Sequence, residues 1–447
     1  MMKVLRLVPL TAALALALAG TARAEGLLEL YEAARAYDAS WQSAKAQYEA
    51  NLARAEQARA GLLPQAGLSA GLTRSALETN VAAAPVNPAI DRNFTTQQAT
   101  LSASQPLYRP ANLATWHQAQ RQMQLAQYQL TAAGQDLMIR VSQAYFDVLA
   151  AQDTLAFVRA QKAATAEQLA SAKRNFEVGT STITDTREAQ ARYDLVQAQE
   201  IAAENDLRVK KLALDTLVGR DDAQPNPLAA PLDVPAPQPP SPEAWVAASE
   251  GASPAILQAK KAVEVAELET EKARAGHKPT LDLTTSYGIS RNVGGSASLA
   301  GDSRSNNGNI GIAFNLPLFA GFAVQNRIRE TLSLEEKARS DLEATRRQVA
   351  QAVRTAYFGV VSGQNQVRAL ESAEASSQSA LDANRLGYQV GVRINIDVLN
   401  AQSQLFQTKR DLAQARYNVL LGHLKLRQVN GTLQPEDLAR LNTLLAR

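Results

Sequence analysis

The chain carries one long pattern twice. The stretch VGTSTITD at residues 178–185 returns as VGVRINID at residues 390–397. Around this echo, AKAQYEANLARAEQARAGLLPQ (44–65) aligns with AKKAVEVAELETEKARAGHKPT (259–280). QPLY (105–108) aligns with LPLF (316–319), and AYFDVLAAQ (144–152) with AYFGVVSGQ (356–364). The offset stays near ~212 residues, so small insertions fall only between the matched blocks. Two copies of ~200 residues are too few and too long for a solenoid and describe one structural unit used twice.

Each copy reads in the same order. A helix comes first, over roughly 26–60 and 254–275. Gly61 and Gly276 suit its end, and Pro64 and Pro279 stand just beyond. Two strands follow. In the second copy Leu281, Leu283, Thr285, Tyr287 and Ile289 alternate with polar or small residues, and Ile310, Ile312, Phe314 and Leu316 do the same. The first copy is weaker, with Ala66, Leu68, Ala70 and Leu72, then Ala99, Leu101 and Ala103. Polar loops are expected at about 76–93 and 292–307. Then come proline-free runs over 110–176 and 320–388, each ~100 Å long if helical. Met138, Val141, Tyr145, Val148, Gln152 and Leu155 step by three and four, as do Ala350, Val353, Tyr357, Val360, Gln364 and Val367. That is a narrow coiled-coil seam. Return helices are expected over 184–217 and 396–429.

The echoed stretches are therefore the turns of two helical hairpins, at the far end of long rods from the strands. Gly179 and Gly391 suit left-handed helix ends. Thr184 or Asp185, and Asn395 or Asp397, are available to cap the returning helices. The organisation reads as a leader (1–24), a first repeat (25–217), a proline-rich linker (218–253), a second repeat (254–430) and a tail (431–447). Eight prolines between Pro225 and Pro242 mark the linker as a wrap rather than a helix.

The leader reads as a secretory signal. Lys3 and Arg6 precede an apolar run, and Ala22-Arg23-Ala24 fits cleavage between Ala24 and Glu25. The run is too short to span a membrane, and no later stretch is long enough. There is no cysteine, hence neither a lipidated cysteine nor a disulfide framework. The leader's Lys3, Arg6 and Arg23 account for the formal net charge of +3. A neutral mature chain argues against nucleic acid as a partner. Aromatics make up 5% of the residues, poor material for thick cores and good material for closely packed long helices.

An exported chain with four amphipathic strands has the parts of an outer-membrane protein. Four strands cannot close a barrel, and open edges are forbidden in lipid, so several chains would have to pool them. Phe314, Phe319, Phe322 and Tyr108 are candidates for an aromatic girdle at the membrane boundary, with core packing as the plainer alternative.

At this point the residues carry a resemblance. YQVGVRINIDVLNAQSQLFQTKRDLAQARYNVLLGHLKLRQVNGTLQPEDL (388–438) and FEVGTSTITDTREAQARYD (176–194) resemble the TolC family of outer-membrane export ducts. The similarity covers essentially the whole mature chain, and is nearer the family's unlipidated type member than its lipidated drug-efflux members. The resemblance implies a mainly α fold with a β-barrel part: a homotrimer with a twelve-stranded transmembrane barrel and a twelve-helix periplasmic tunnel. It implies outer-membrane lipid, a periplasmic adaptor and an inner-membrane ABC or RND-type pump as partners, and no cofactor. It places the two turns at a periplasmic entrance. Asp185 falls on the carboxylate that holds the entrance closed, with Tyr388 and Arg393 as its partners. Asp397 falls on one of two acidic constriction positions; the second is Asn400 here, a departure that leaves one carboxylate ring. Val178, Gly179, Thr184, Val390 and Gly391 fall on the hairpin tips where an adaptor docks.

Other classes fit less well. His117, His277 and His423 are scattered, and Gly301-Asp302-Ser303 lacks the strand-turn-helix setting of a hydrolase serine. Asn430-Gly431-Thr432 has the form of a glycosylation site, but a helix stop explains it. A soluble periplasmic coiled-coil adaptor is the alternative, and the four alternating strands argue against it.

Overall fold

The computed structural model describes residues 25–79, 90–229 and 236–446. The leader with Ala24, part of the first hairpin loop and part of the proline-rich segment lie outside the described residues. The chain forms two compact units. Of the described residues, one comprises those within Gln47–Gln127 and Gln258–Ala344, and the other those within 25–46, Tyr128–Leu257 and 345–446. The elements in chain order are α1 (Leu27–Tyr37), α2 (Ala39–Ala60), β1 (Gln65–Thr79), β2 (Ile90–Tyr108), α3 (Pro110–Glu177) and α4 (Ile183–Val218). They continue with α5 (Pro242–Ala252), α6 (Pro254–Arg274), β3 (Thr280–Val293), β4 (Ser303–Asn315), α7 (Ala323–Gln389), α8 (Asn395–Asn430) and α9 (Pro435–Asn442).

The first unit holds a four-stranded antiparallel sheet in the order β1-β2-β3-β4. Its register stacks Leu68, Leu101 and Tyr287 across three strands and pairs Leu281 with Phe314 and Leu283 with Ile312. The period-two pattern therefore lands the alternating apolar side chains of all four strands on one face, while Leu77 and Phe94, nearer the hairpin loop, fall on the other. The other face carries Gly67, Ser102, Ser286 and Asn309 in register. The apolar face is uncovered: Leu68 is 76% and Ile310 79% exposed. The outer strands β1 and β4 have no further partner among the described residues. The strands run further than the alternation predicts, to Thr79 and from Ile90 in one hairpin and to Val293 and from Ser303 in the other. Backbone ladders continue through residues whose side chains no longer alternate. Arg109, just after β2, donates to Asp282 on β3 through Nε (2.8 Å) and Nη2 (2.6 Å). This forked pair is the strong geometry for arginine and carboxylate. The expected girdle residues Tyr108, Phe314, Phe319 and Phe322 are all exposed, and Phe319 and Phe322 meet edge to face at 5.5 Å.

In the second unit, Leu27, Leu30, Val141, Tyr145, Leu149, Leu424 and Leu438 close a core around the predicted seam. The first predicted helix is in fact two. Asp38 Oδ1 accepts from Trp41 N (2.7 Å), starting α2 anew, while both carboxylate oxygens accept from Arg140 at 2.9 and 3.0 Å. Arginine 140 lies on α3, so a distant part of the chain holds the capping carboxylate at the break. The linker also holds a helix, α5. Pro242 opens it at the first position, where a missing N–H costs nothing, and Trp245 is buried. The proline segment is tied down by the duplicated tyrosines: Tyr145 donates to the carbonyl of Asn226 (2.9 Å) and Tyr357 to that of Pro240 (2.6 Å). The repeat thus supplies one clamp from each copy. Burial pushes the His423 imidazole down to about 4, with Arg427 adding to the effect, so it is neutral at physiological pH. Asp302 of the Gly-Asp-Ser stretch accepts from Gly294 N at 2.9 Å and closes a hairpin turn.

Candidate functional site

Both hairpin turns belong to the helical unit, and both are built by the same backbone device. Gly179 and Gly391 sit at φ 78° and 77°. At the first turn Thr180 N donates to Asn175 O (2.8 Å) and Gly179 N to Phe176 O (3.0 Å). At the second, Val392 N donates to Gly387 O (2.8 Å) and Gly391 N to Tyr388 O (3.2 Å). These paired bonds satisfy the last helix carbonyls and need a left-handed residue, which glycine adopts without strain. Around them Val178, Ile183, Val390, Val392 and Ile394 are exposed, an apolar rim at the tips.

The return helices start differently. Thr182, not Thr184, takes the cap position of α4: Asp185 N donates to Thr182 Oγ1 at 3.2 Å. Asp185 answers from the third helical position, its Oδ2 accepting from Thr182 N (3.0 Å), Thr182 Oγ1 (2.8 Å) and Ser181 Oγ (2.7 Å). The Thr-x-x-Asp spacing of a capping box was legible in the sequence. In the second turn Ile394 stands at the cap and has no oxygen to offer. Neither Asn395 nor Asp397 caps α8. Asp397 is instead engaged by Arg393 at 3.6 Å, one helical turn away.

Within one chain, then, Asp185 meets neither Arg393 nor Tyr388. Each partner is engaged by other residues of the same chain. Tyr388 Oη accepts from Asn175 Nδ2 at 3.3 Å, across the two hairpins. Asn400 Oδ1 accepts from Arg192 Nη2 at 2.8 Å, joining the two return helices. Asn395 bridges Gln168 on α3 and the Asp185 carbonyl. Leu399 packs with Leu169, Ala172 and Ala189, so the start of α8 is seated on the first hairpin. Sequence reasoning missed Asn175, Gln168 and Arg192, because no local rule pairs residues more than two hundred positions apart.

Burial raises the Asp185 carboxyl, but the hydrogen bonds from Ser181 and Thr182 lower it by more, so it lies below the ordinary carboxylate value. A depressed folded value stabilises the turn above the unfolded pKa, and that contribution is lost as pH falls through the folded value. Amide protection at residues 182–187, corrected for intrinsic exchange, should hold at neutral pH and fall below about pH 4. Asp185→Asn should remove this pH dependence; an unchanged profile in that variant would show that another group titrates.

The family model for outer membrane efflux proteins matches residues 30–220 and 245–432, one segment for each repeat. The chain belongs to the outer membrane efflux protein family. Outer membrane protein TolC of Vibrio cholerae is 33% identical over 438 residues, covering 98% of each chain. TolC of Escherichia coli is 32% identical, covering 99% of this chain and 90% of its own. The alkaline protease secretion protein AprF of Pseudomonas aeruginosa is 32% identical, covering 92% and 86%. Among solved structures, VceC of Vibrio cholerae superposes with a TM-score of 0.76 at 21% identity, covering 91% of this chain and 96% of that one. The Campylobacter jejuni CmeC outer membrane channel gives 0.79 at 17%, covering 94% and 90%. These structures share the fold, an α-barrel and β-barrel channel. The family member described here is an outer-membrane channel of the efflux/secretion type, not an enzyme, and the soluble-adaptor alternative is set aside.

Proposed function

We propose that three copies of this chain assemble into one duct, pooling their sheets into a twelve-stranded barrel and their hairpins into a twelve-helix periplasmic tunnel. The observation that carries this reading is the sheet: one exposed apolar face, one small polar face, and two open edges. Open edges are untenable in lipid, so the edges must meet those of other copies. The polar face then lines the lumen. The apolar tip rim around Val178, Gly179, Thr184, Val390 and Gly391 suits docking of a periplasmic adaptor, itself coupled to an inner-membrane ABC or RND-type pump. Cargo is whatever that pump delivers. AprF and PrtF are named for secretion of proteases, which makes a protein cargo compatible with this class of duct. The leader is cleaved between Ala24 and Glu25.

At the entrance, Asp397 supplies one carboxylate per chain, and Asn400 none. Arg192 beside Asn400 adds a cation instead. The purified protein should resist carbonate extraction from membranes and conduct in planar bilayers, with modest cation preference by reversal potential. Asn400→Asp should raise that preference clearly. Failure of well-folded oligomers to conduct would sink the duct, and an Asn400→Asp channel with unchanged selectivity would remove position 400 from the constriction.

A further inference from the structure

We infer that Asn395 is a positioning residue of the entrance, an uncharged latch that fixes the second hairpin on the first. The inference rests on the entrance reading above. Asn395 is 0% exposed, although Val392 and Ile394 beside it are among the most exposed apolar residues of the chain. Its side chain makes two bonds to the other hairpin. Gln168 Nε2 on α3 donates to its Oδ1, and its Nδ2 donates to the carbonyl of Asp185 at 3.3 Å. It thus holds both legs of the first hairpin at once: the descending helix through Gln168 and the first turn of the returning helix through Asp185. The seam beside it is apolar, formed by Leu169, Ala172, Ala189 and Leu399. A lone amide in an apolar helical seam specifies register, because any shifted arrangement leaves it desolvated and unpaired. The second hairpin therefore cannot swing or slide from the first without breaking both bonds together.

The latch differs in kind from the other polar links at the tips. Arg393–Asp397 is a solvent-exposed ion pair within one turn, screened by salt. Arg192–Asn400 is also exposed, and Asn175–Tyr388 is long at 3.3 Å. Only Asn395 among these four links is fully buried, and neither of its bonds involves a charge. Its contribution should therefore be insensitive to ionic strength.

The test uses the full-length protein in planar bilayers, comparing wild type with Asn395→Leu, which keeps the volume and the apolar packing but removes both bonds. Gln168→Met, at a partly exposed site on α3, is the milder second variant. Losing these bonds should raise the open fraction roughly tenfold for Asn395→Leu and less for Gln168→Met. The rise should be the same at about 0.1 M and about 1 M salt. The double variant should open no further than Asn395→Leu alone, because the two residues share one bond. Thermal stability measured in parallel separates a packing role, which would lower the melting point and leave conductance unchanged. Conducting wild type with both variants equally closed overturns the latch and leaves the duct standing. Well-folded oligomers that never conduct, neither as wild type nor with Asp185 and Arg393 both replaced, overturn the entrance reading and the latch with it.

Discussion

Replacing Asp185 and Arg393 together by alanine should turn a small resting conductance into a large one. In a single chain both residues are already engaged, Asp185 by Ser181 and Thr182 and Arg393 by Asp397. A link between them across neighbouring chains would exchange one set of partners for another, so its net worth is that of an exposed pair, about 0–1 kcal/mol. Three such links around a ring sum to at most about 3 kcal/mol, or roughly a hundredfold in the closed-to-open ratio. That is enough to keep an entrance shut at rest and little enough for a docked partner to overcome. Single-channel recording checks it. Thr182→Ala is the necessary control, because it removes the helix cap, worth about 1 kcal/mol, and leaves both charges. If the control opens the channel as far as the double variant, the turn's integrity and not the Asp–Arg link is what holds the entrance.

Gly431→Ala should be among the most damaging single-methyl changes in the chain. Gly431 ends α8 at φ 88°, and a Cβ there would lie 2.2 Å from the carbonyl oxygen of Ala252 and 2.5 Å from its carbon. The left-handed conformation alone costs alanine about 1–2 kcal/mol. The clash is with backbone, which cannot rotate away, so the tail must shift from the end of α5, and a total of about 3–5 kcal/mol follows. Gln135 would suffer too, since its amide donates to the carbonyls of Gly431 (3.1 Å) and Leu433 (3.2 Å). Gly251→Ala is the contrast: it lies inside α5 with open space around its Cα, and should be neutral or slightly stabilising. Comparing melting midpoints of the two variants tests the claim, and equal midpoints would defeat it. The same geometry disposes of the Asn-Gly-Thr glycosylation form, because Asn430 is buried beneath the helix end.

Much of the fold was legible because its signals are periodic. Alternation at Leu281–Ile289 gave a strand, the three-four stepping from Met138 to Leu155 gave a seam, and the missing prolines gave the length of α3 and α7. Where the sequence reading went astray, a distant partner had intervened. The helix breaks at Asp38 because its carboxylate caps a new helix at Trp41 N while Arg140, from α3, holds the same group in place. The strands outran their predicted ends because ladder bonds belong to the backbone and outlast the side-chain pattern. Pro242 was counted with the wrap, although a proline at that position opens a helix as readily as it ends one.

The site divides in the same way. The sequence by itself determined that there are two turns and that glycine ends each long helix, since each of these depends on residues within one turn of one another; the cap of α4 was expected at Thr184 or Asp185 and stands at Thr182. Only the tertiary structure decided that Asn395 is buried and not a cap, that Arg192 reaches Asn400, and that Asp185 and Arg393 are each satisfied at home. Those outcomes depend on how two hairpins from different repeats are seated side by side. Packing of Leu399 on Leu169, Ala172 and Ala189 sets that seating, and the polar partners follow from which side chains it brings within hydrogen-bond reach.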